Sequence, residues 1–458
     1  MLDKEFLWGA STSAYQVEGA IDVDGKGLSV QDVKDIIKDT SDFKVCVDHY
    51  NRFKEDIKLF SELGLKSYRF SIAWTRIIPN GIGEVNEKGI KFYNDLIDEC
   101  LKYNIEPFVT LYHFDLPYEL EKKGGWSNRE TIDAFVEFSR IVFENYGDRV
   151  KYFLTINEQN MMILHGPAIL GGSIDKPMYK DLANQNHHML LAQAKCIKLY
   201  HSMKLKGKIG PAPNIAYVYP KTSKPTDVLA SQNYNAIRNF AYLDIAVWGR
   251  YNPIYMNYLK KYDAIPDIEC GDMDILASAK PDFIAFNYYY TSTVTLDTKE
   301  KSQMLDKHLT DIVDGFYALE MNDYLENTEF GWQVDPVGFK ITIRELYQRY
   351  NLPLVVTENG LGANDVLEAD GSIHDDYRIK YLREHIQMLK EAVDEGCEVF
   401  GYFPWSAIDL ISTHQGFRKR YGFVYVNRDE FDLKDLKRYK KDSFYWYNNV
   451  IKTNGEEL

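Results

Sequence analysis

The stretch LPLVVTENG, residues 352–360, decides how the rest of the chain is interpreted. Residues 354–357 are apolar and β-branched, as in a strand that is buried on both faces. The run ends in Glu358, followed by Asn359 and Gly360, which favour a turn. A carboxylate at the end of a buried strand is costly unless something uses it, so Glu358 is a candidate functional residue.

A second stretch has the same pattern. Residues 152–156, YFLTI, form another apolar run, and Asn157 and Glu158 follow it directly. If both strands belong to one parallel barrel, the two glutamates meet at its carboxyl-terminal end, where such folds place their active sites. Two facing carboxyl groups are the catalytic groups of glycosidases. The alternative is that each glutamate caps the next helix, and for one glutamate alone we would prefer that interpretation.

Composition limits the classes of function. The 458 residues carry a net charge of −14, which argues against binding to nucleic acid or to an anionic membrane. No stretch approaches the ~18 apolar residues of a membrane-spanning helix, and the start, MLDKEFLWGA, lacks the pattern of a secretion signal. The five cysteines are scattered without a CxxC pair, so reduced thiols and a cytoplasmic location are expected.

Apolar runs alternate with amphipathic segments along the chain, which is the pattern of βα units around a parallel sheet. Eight strands are predicted, at residues 6–11, 66–71, 107–111, 152–156, 208–215, 282–287, 354–357 and 398–403. Helical spacing is clearest in residues 47–63, 87–104, 128–146, 189–204 and 377–396. Without any linker or repeat, the sequence predicts a single (β/α)8 TIM barrel domain over residues 1–458.

Polar or aromatic residues lie in or shortly after every predicted strand; Arg69, for example, lies within the strand at residues 66–71. In chain order they include Gln16, Arg69, His113, Asn157, Glu158, Asn214, Asn287, Tyr289, Glu358 and Trp405. A ring of hydrogen-bonding groups around two carboxylates suits a ligand covered with hydroxyl groups. Each residue has a structural alternative: His113 as a core histidine, Arg69 in a surface ion pair, Trp405 as a core aromatic. No spacing of metal ligands and no nucleotide-type glycine loop occurs, so neither metal nor cofactor is expected.

Seven segments together resemble glycoside hydrolase family 1. They are FLWGASTSAYQVEGA (6–20), YRFSIAWTRI (68–77), TLYHFDLP (110–117), TINEQN (155–160), DFIAFNYYYTS (282–292), VVTENG (355–360) and the C-terminal GYFPWSAIDL…KRYGFVYVN (401–427). The resemblance spans almost the whole chain in the order of the family. It implies a (β/α)8 barrel and a retaining β-glycosidase.

The resemblance also implies roles for single residues. Glu358 resembles the nucleophile, Glu158 the acid/base, and Arg69 and Tyr289 the partners that orient the nucleophile. Five more residues resemble positions that bind the sugar or its aglycone: Gln16, His113, Asn157, Trp332 and Trp405. One departure is Gln159, where the family commonly has proline, which the phosphosugar branch often lacks as well.

Retention needs the two carboxyl groups in different protonation states. Arg69 and the Tyr289 hydroxyl are expected to favour the ionised form of Glu358, as a nucleophile requires. Glu158 stands between the neutral amides Asn157 and Gln159, and it is expected to hold a proton near neutral pH.

The stretch DLISTHQGFRKRY, residues 409–421, indicates the kind of sugar. Plain β-glucosidases of the family usually have Glu-Trp at the positions of Ser412 and Thr413, and commonly Phe at that of Tyr421. Without the carboxylate, Ser412, Lys419 and Tyr421 are expected to bind a phosphate. This pattern resembles the 6-phospho-β-glucosidase branch. The small Thr413 favours gluco over galacto substrates.

Alternatives to this interpretation stay open. They are a β-glucosidase acting on unphosphorylated β-glucosides, a 6-phospho-β-galactosidase and, outside this class, a catalytically silent sugar-binding barrel. The silent barrel would be expected to lack one of the glutamates, and both are present. The sequence does not identify the natural disaccharide, and it leaves the oligomeric state open, with a homodimer as one option.

Overall fold

The computed structural model describes residues 2–165, 179–296, 312–313 and 315–458. Eight strands form one sheet, and we label them β1 to β8 in chain order. They are Leu7–Ser11 (β1), Ser67–Ser71 (β2), Glu106–Tyr112 (β3), Tyr152–Asn157 (β4), Lys208–Ala212 (β5), Ile284–Asn287 (β6), Leu354–Asn359 (β7) and Val399–Pro404 (β8). The strand order is β5-β4-β3-β2-β1-β8-β7-β6. Every neighbouring pair is parallel.

The barrel closes between β5 and β6. The backbone N–H of Asp282 donates to the carbonyl of Ile209 at 2.9 Å, and that of Asn287 donates to Pro213 at 3.0 Å. The N–H of Ile215 donates back to the carbonyl of Asn287 at 2.9 Å. These bonds join the two ends of the sheet, and the predicted (β/α)8 barrel is confirmed.

Strand boundaries differ from the prediction at two places that matter for the site. β5 ends at Ala212 instead of residue 215, because Pro211 and Pro213 have no N–H with which to continue the ladder. Asn214, just beyond, makes a single bridge to Asn287. β7 extends through Glu358, so this carboxylate belongs to the strand itself.

Helices of very different length connect the strands. The helix predicted from residue 189 begins earlier, at Lys180. The α-helices are Ala14–Val17, Val30–Val33, His49–Leu63, Trp74–Ile77, Glu87–Lys102, Tyr118–Glu121, Glu130–Tyr146, Gln159–Leu164, Lys180–Ser202, Pro225–Asn235, Ala241–Trp248, Pro253–Lys261, Asp272–Ser278, Pro336–Tyr350, Asp376–Asp394 and Asp442–Lys452. A 3-10 helix spans Gly125–Ser127 and a π-helix spans Ala236–Phe240.

Short strands build three small sheets outside the barrel. The largest contains Val218–Pro220, Ser292–Thr295, Tyr317–Glu320 and Ile312–Val313, and the other two pair Glu326–Asn327 with Gln333–Val334 and Val424–Val426 with Arg438–Lys440. Within the described ranges, no helix has both the length and the apolar character needed to cross a membrane.

Apolar side chains from six of the barrel strands and their flanks pack together inside the barrel. Phe108, Leu154, Phe283, Val355 and Phe403 are fully buried in this cluster. Gly9 of β1 leaves room for the ring of Phe403, because a Cβ at residue 9 would lie 2.2 Å from Phe403 Cδ1. The packed interior supports the polar groups that begin at the carboxyl ends of the strands.

Candidate active site

Glu158 and Glu358 lie at the carboxyl ends of β4 and β7. Glu358 is only 3% exposed. Glu158 follows β4 in a left-handed conformation, with φ 44° and ψ 44°, and precedes the helix Gln159–Leu164. Both side chains line one cleft of about 1000 Å³, which includes space open to solvent. The fold therefore brings together the two carboxyl groups that the sequence singled out.

Glu358 is held through both of its oxygens. Arg69 Nη1 donates to Oε1 at 2.5 Å, and the Tyr289 hydroxyl donates to Oε2 at 2.6 Å. Burial raises the pKa of Glu358 above its ordinary value, whereas the charge of Arg69 and the hydrogen bonds from Arg69 and Tyr289 lower it. The two partners thus act in the expected direction, but burial outweighs them.

One oxygen of Glu158, Oε1, accepts two hydrogen bonds, and both come from neutral side-chain amides. The Nδ2 groups of Asn214 and Asn287 donate to Oε1 at 2.8 Å and 3.0 Å. Burial and the negative charge of Glu358 raise the pKa of Glu158 to about 7, against the lowering effect of the two amides and of Arg69. A pKa near 7 leaves a substantial fraction of Glu158 protonated at neutral pH, and its role as the acid stays a prediction.

Arg69 also organises the groups behind the two glutamates. Its Nε donates to Thr110 Oγ1 at 2.8 Å, and its Nη2 donates to Asn157 Oδ1 at 2.6 Å. Because Oδ1 of Asn157 faces the arginine, Nδ2 of Asn157 faces His113 Nε2, at 3.1 Å. Nε2 of His113 must then accept this hydrogen bond.

The ring of His113 is consequently a neutral donor. Burial and the charge of Arg69 hold the pKa of His113 well below its usual value. With Nε2 accepting, the proton resides on Nδ1, a buried atom without a hydrogen-bond partner among the described residues. His113 lines the cleft, and a hydrogen bond from its Nδ1–H to a ligand oxygen stays a prediction.

Most residues singled out from the sequence line the cleft. They are Gln16, His113, Glu158, Asn214, Tyr289, Trp332, Glu358, Trp405, Ser412, Lys419 and Tyr421. Arg69 and Asn157 lie behind this lining and are fully buried. For Arg69 this placement fits an orienting role. For Asn157 direct contact with a sugar stays a prediction, since its side chain is bonded to Arg69, His113 and Asn287.

Aromatic rings form two walls of the cleft. Trp405 stacks on His113 with 5.9 Å between ring centroids and 20° between ring planes. Trp332 packs edge-on against Tyr289 at 5.2 Å. The Lys419 ammonium lies 3.6 Å from the ring centroid of Trp332. Flat apolar faces next to hydrogen-bonding groups are suited to the two sides of a sugar ring.

Arg420 fixes the segment that carries Lys419 and Tyr421. The backbone of Arg420 pairs with Ala363 in both directions, at 2.9 and 3.0 Å, and its guanidinium donates to Asp409 Oδ2 at 2.8 Å. Because side chains alternate along an extended backbone, Lys419 and Tyr421 face the opposite way from Arg420. Both of them are buried and line the cleft.

Ser412 reaches the same cleft from the preceding turn. Its backbone N–H donates to the carbonyl of Gly416 at 3.0 Å. The neighbouring Thr413 hydroxyl is hydrogen-bonded to Tyr15 Oη at 2.9 Å. Ser412 therefore lines the same cleft as Lys419 and Tyr421. That the three side chains bind one phosphate stays a prediction.

Two hydrogen bonds of the site, from Asn214 and Asn287 to Glu158, could not be predicted from the sequence. Asn214 lies just beyond β5 and Asn287 is the last residue of β6, but nothing in the sequence assigns their amides to Glu158. That contact depends on the closure of the barrel between β5 and β6, which no local pattern reveals. Among the described residues, no group of three or more His, Cys, Asp or Glu side chains could hold a metal ion.

The family model of glycosyl hydrolase family 1 matches residues 1–456. The chain belongs to glycosyl hydrolase family 1. Aryl-phospho-β-D-glucosidase BglC of Bacillus subtilis is 45% identical over 99% of this chain and 98% of its own length. The 6-phospho-β-glucosidase of Clostridium longisporum is 42% identical over 99% and 98%. Among solved structures, the family 1 β-glucosidase of Thermotoga maritima matches with a TM-score of 0.90 and 36% identity, over 100% and 99% of the two chains.

Proposed function

We propose that this family 1 glycosidase hydrolyses 6-phospho-β-glucosides, such as phosphorylated cellobiose or phosphorylated aryl β-glucosides, with retention of configuration. The main support is that Ser412, Lys419 and Tyr421 line the same cleft as the glutamate pair. An ammonium and two hydroxyls, without a carboxylate at position 412, suit a phosphate dianion. The names of the two bacterial relatives support the same substrate class.

In the first step, a Glu358 oxygen attacks the anomeric carbon and the bond to the leaving oxygen breaks. Glu158 gives its proton to that oxygen, and a covalent glycosyl-enzyme forms. In the second step, Glu158 takes a proton from water, and the water oxygen displaces Glu358. Two inversions give net retention, which requires carboxyl groups about 5–5.5 Å apart. A crystal structure would test that separation, since values of about 6.5–9.5 Å belong to inverting enzymes.

The change of role of Glu158 follows from the charge of Glu358. In the free enzyme this charge raises the pKa of Glu158. Once Glu358 is bound to the sugar, the charge is gone, and the pKa of Glu158 falls. The same carboxyl group is therefore an acid before the intermediate forms and a base afterwards.

Other residues of the cleft are assigned to the sugar. His113, through Nδ1–H, and Gln16 bind hydroxyl groups, and Trp405 supports the face of the cleaved ring. Trp332 is the platform for the aglycone. Asn157 is also assigned to a sugar hydroxyl group, although its side chain is hydrogen-bonded to Arg69 and His113.

The direct test uses 4-nitrophenyl β-glucoside with and without a 6-phosphate. We expect kcat/KM to be much higher for the phosphorylated substrate, with the galacto epimer turned over more slowly. If the unphosphorylated glucoside turns over equally well, the site is an ordinary sugar pocket. In that case the protein would be a β-glucosidase for unphosphorylated substrates, as the name of the Thermotoga maritima enzyme suggests.

Lys419→Ala should lower kcat/KM for the 6-phosphate by roughly 10- to 150-fold, because a charge-assisted hydrogen bond is worth about 1.5–3 kcal/mol. The unphosphorylated glucoside should lose much less. Arg418→Ala is the matched control, since it removes the same charge from the adjacent residue, which is exposed and outside the cleft lining. If Lys419→Ala lowers kcat/KM equally for both substrates, Lys419 does not bind the phosphate.

Ser412→Glu should lower kcat/KM for the phosphorylated substrate more than Ser412→Ala does. The alanine removes one hydroxyl, whereas the glutamate also places a negative charge beside the phosphate. We expect the glutamate variant to gain some activity on the free glucoside. Steady-state kinetics on the substrate pair would measure both effects, and similar values for the two variants would contradict the prediction.

The pH profile of kcat/KM should be bell-shaped. Glu158 must be protonated for the first step, so activity should fall as pH rises through about 7. Glu358 must be ionised, and its raised pKa should place the acid limb above the range of an exposed glutamate. Glu158→Gln should abolish the limb near pH 7 for an activated substrate. Ionisation of the substrate phosphate affects the wild type and Glu158→Gln equally. The difference between their two pH profiles therefore reports on Glu158.

We also propose that residues 1–458 form one domain that works in the cytoplasm. The hydroxyl of Tyr447, in the last helix, donates to the carbonyl of Gly9 in β1 at 3.0 Å, which ties the end of the chain to its start. All five cysteines are free thiols, and four of them are buried. A phosphorylated sugar carries charge that keeps it from crossing a bilayer, so hydrolysis on the cytoplasmic side fits the substrate. A single calorimetric transition would support the one-domain proposal.

A further inference from the structure

Asn214 connects a second buried arginine to Glu158. Nδ2 of Asn214 donates to Glu158 Oε1 at 2.8 Å, and Oδ1 of the same amide accepts from Arg238 Nη2 at 2.6 Å. Arg238 Nη1 donates to the backbone carbonyl of Asn214 at 2.9 Å and to Asn239 Oδ1 at 2.9 Å. The acceptors of this guanidinium are neutral, and one of them is the amide that contacts Glu158.

Arg238 and Asn214 are held rigidly. Arg238 is 4% exposed and lies in the π-helix Ala236–Phe240, a helix type that is frequent at functional sites. Asn160, from the helix that follows Glu158, donates through Nδ2 to the carbonyls of Asn214 at 2.6 Å and Arg238 at 3.0 Å. The helix after β4 is thus hydrogen-bonded to the backbone of both Asn214 and Arg238.

The orientation of the Asn214 amide follows from the chemistry of the guanidinium. Arginine has only donors, so the amide must turn Oδ1 toward Arg238. Its NH2 group then points at Glu158. With the amide reversed, two donors would face each other at Arg238, and an oxygen would face the carboxylate. Arg238 therefore fixes Asn214 as a donor to Glu158.

A second amide is fixed in the same way through Arg69. Arg69 Nη2 donates to Asn157 Oδ1, which also accepts from Asn287 Nδ2 at 3.0 Å. Asn287 must therefore present its NH2 group on this side, and the same Nδ2 donates to Glu158 Oε1 at 3.0 Å. Oε1 of Glu158 consequently faces two amide donors whose orientation is set by two arginines.

We propose that Arg238 is a positioning residue for Glu158, which together with Arg69 confines the acid proton to Oε2. A hydrogen on Oε1 would point at two N–H groups, so the neutral acid carries its proton on the other oxygen. That oxygen is the one left to reach the leaving group. The inference rests on the proposed role of Glu158 as acid/base, and it adds a residue outside the cleft lining to that machinery.

Ionisable groups that interact electrostatically with Glu158 include Glu358, Arg69, Tyr15 and Tyr289. None of these side chains is hydrogen-bonded to Arg238 in the structure. A change in the titration of Glu158 after replacement of Arg238 therefore reports on the Asn214 amide and on the lost arginine charge.

The test replaces Arg238 with methionine, which keeps the length of the side chain and removes its donors. With a phenyl leaving group, which needs the proton, kcat/KM should fall by roughly 10- to 100-fold, and with 2,4-dinitrophenolate by less than about 5-fold. The limb near pH 7 should move to higher pH, because the released amide can turn its oxygen toward the neutral acid. Arg238→Lys keeps a cationic donor and should restore most of the phenyl activity.

A second readout needs no substrate. Titration of Glu158 by carbon-13 NMR, assigned through Glu158→Gln, should give a higher pKa in Arg238→Met, whichever glycoside the enzyme cleaves. It separates failure of this inference from failure of the proposed substrate class. If Arg238→Met does not fold, as judged by thermal melting, Asn214→Leu removes the same donor and should behave alike. An unchanged Glu158 pKa, or equal losses with both leaving groups, would overturn the inference.

Discussion

Glu358→Ala should reduce kcat on aryl 6-phospho-β-glucosides by on the order of 10⁴-fold or more, because the covalent intermediate cannot form without its nucleophile. The alanine also leaves Arg69 and Tyr289 in place around the vacated carboxylate position. A small anion should bind there. Added azide is therefore expected to restore part of the rate, with the anomeric configuration of the product inverted by a single displacement.

The control for Glu358→Ala is Glu84→Ala. Glu84 is exposed and does not line the cleft, so its loss should leave kcat within about twofold of the wild type, as is usual for surface substitutions. The stereochemistry of the azide product, read by proton NMR, is the decisive measurement. A retained glycosyl azide from Glu358→Ala would mean that the second displacement still occurs, and Glu358 would then not be the nucleophile.

The sequence predicted the barrel because the fold depends on a repeated local pattern. Buried strands such as residues 354–359 are short apolar runs, and helices such as Glu87–Lys102 carry apolar residues at helical spacing. The predicted strands agreed with the structure to within a few residues. The largest deviation, at the end of β5, came from two prolines whose missing N–H groups were not considered.

The site was predictable where a residue lies in a barrel strand or directly after it. Glu158, Glu358, His113 and Arg69 all belong to this group, and the resemblance to the family supplied their roles. The contacts of Asn214 and Arg238 could not be predicted, because these residues meet Glu158 only when distant segments pack together. The balance of burial and charge at Glu358 was also missed, because desolvation depends on the whole surrounding structure.

Glu158→Ala should separate substrates by their leaving groups. The first step on 2,4-dinitrophenyl 6-phospho-β-glucoside needs no proton, so kcat/KM should fall by less than about 10-fold, whereas a phenyl or disaccharide substrate should lose on the order of 10²–10⁴-fold. The second step loses its base in both cases. The glycosyl-enzyme should therefore accumulate on the activated substrate, which lowers kcat and KM together.

Azide has a different effect in Glu158→Ala than in Glu358→Ala. Here the glycosyl-enzyme on Glu358 still forms, and azide needs no general base to attack it, so kcat on the activated substrate should rise with azide concentration. Two displacements then give a glycosyl azide of retained configuration. Proton NMR of the product from each variant identifies the role of each glutamate independently of rates. An inverted azide from Glu158→Ala, together with a retained one from Glu358→Ala, would require the nucleophile and the acid/base to be exchanged.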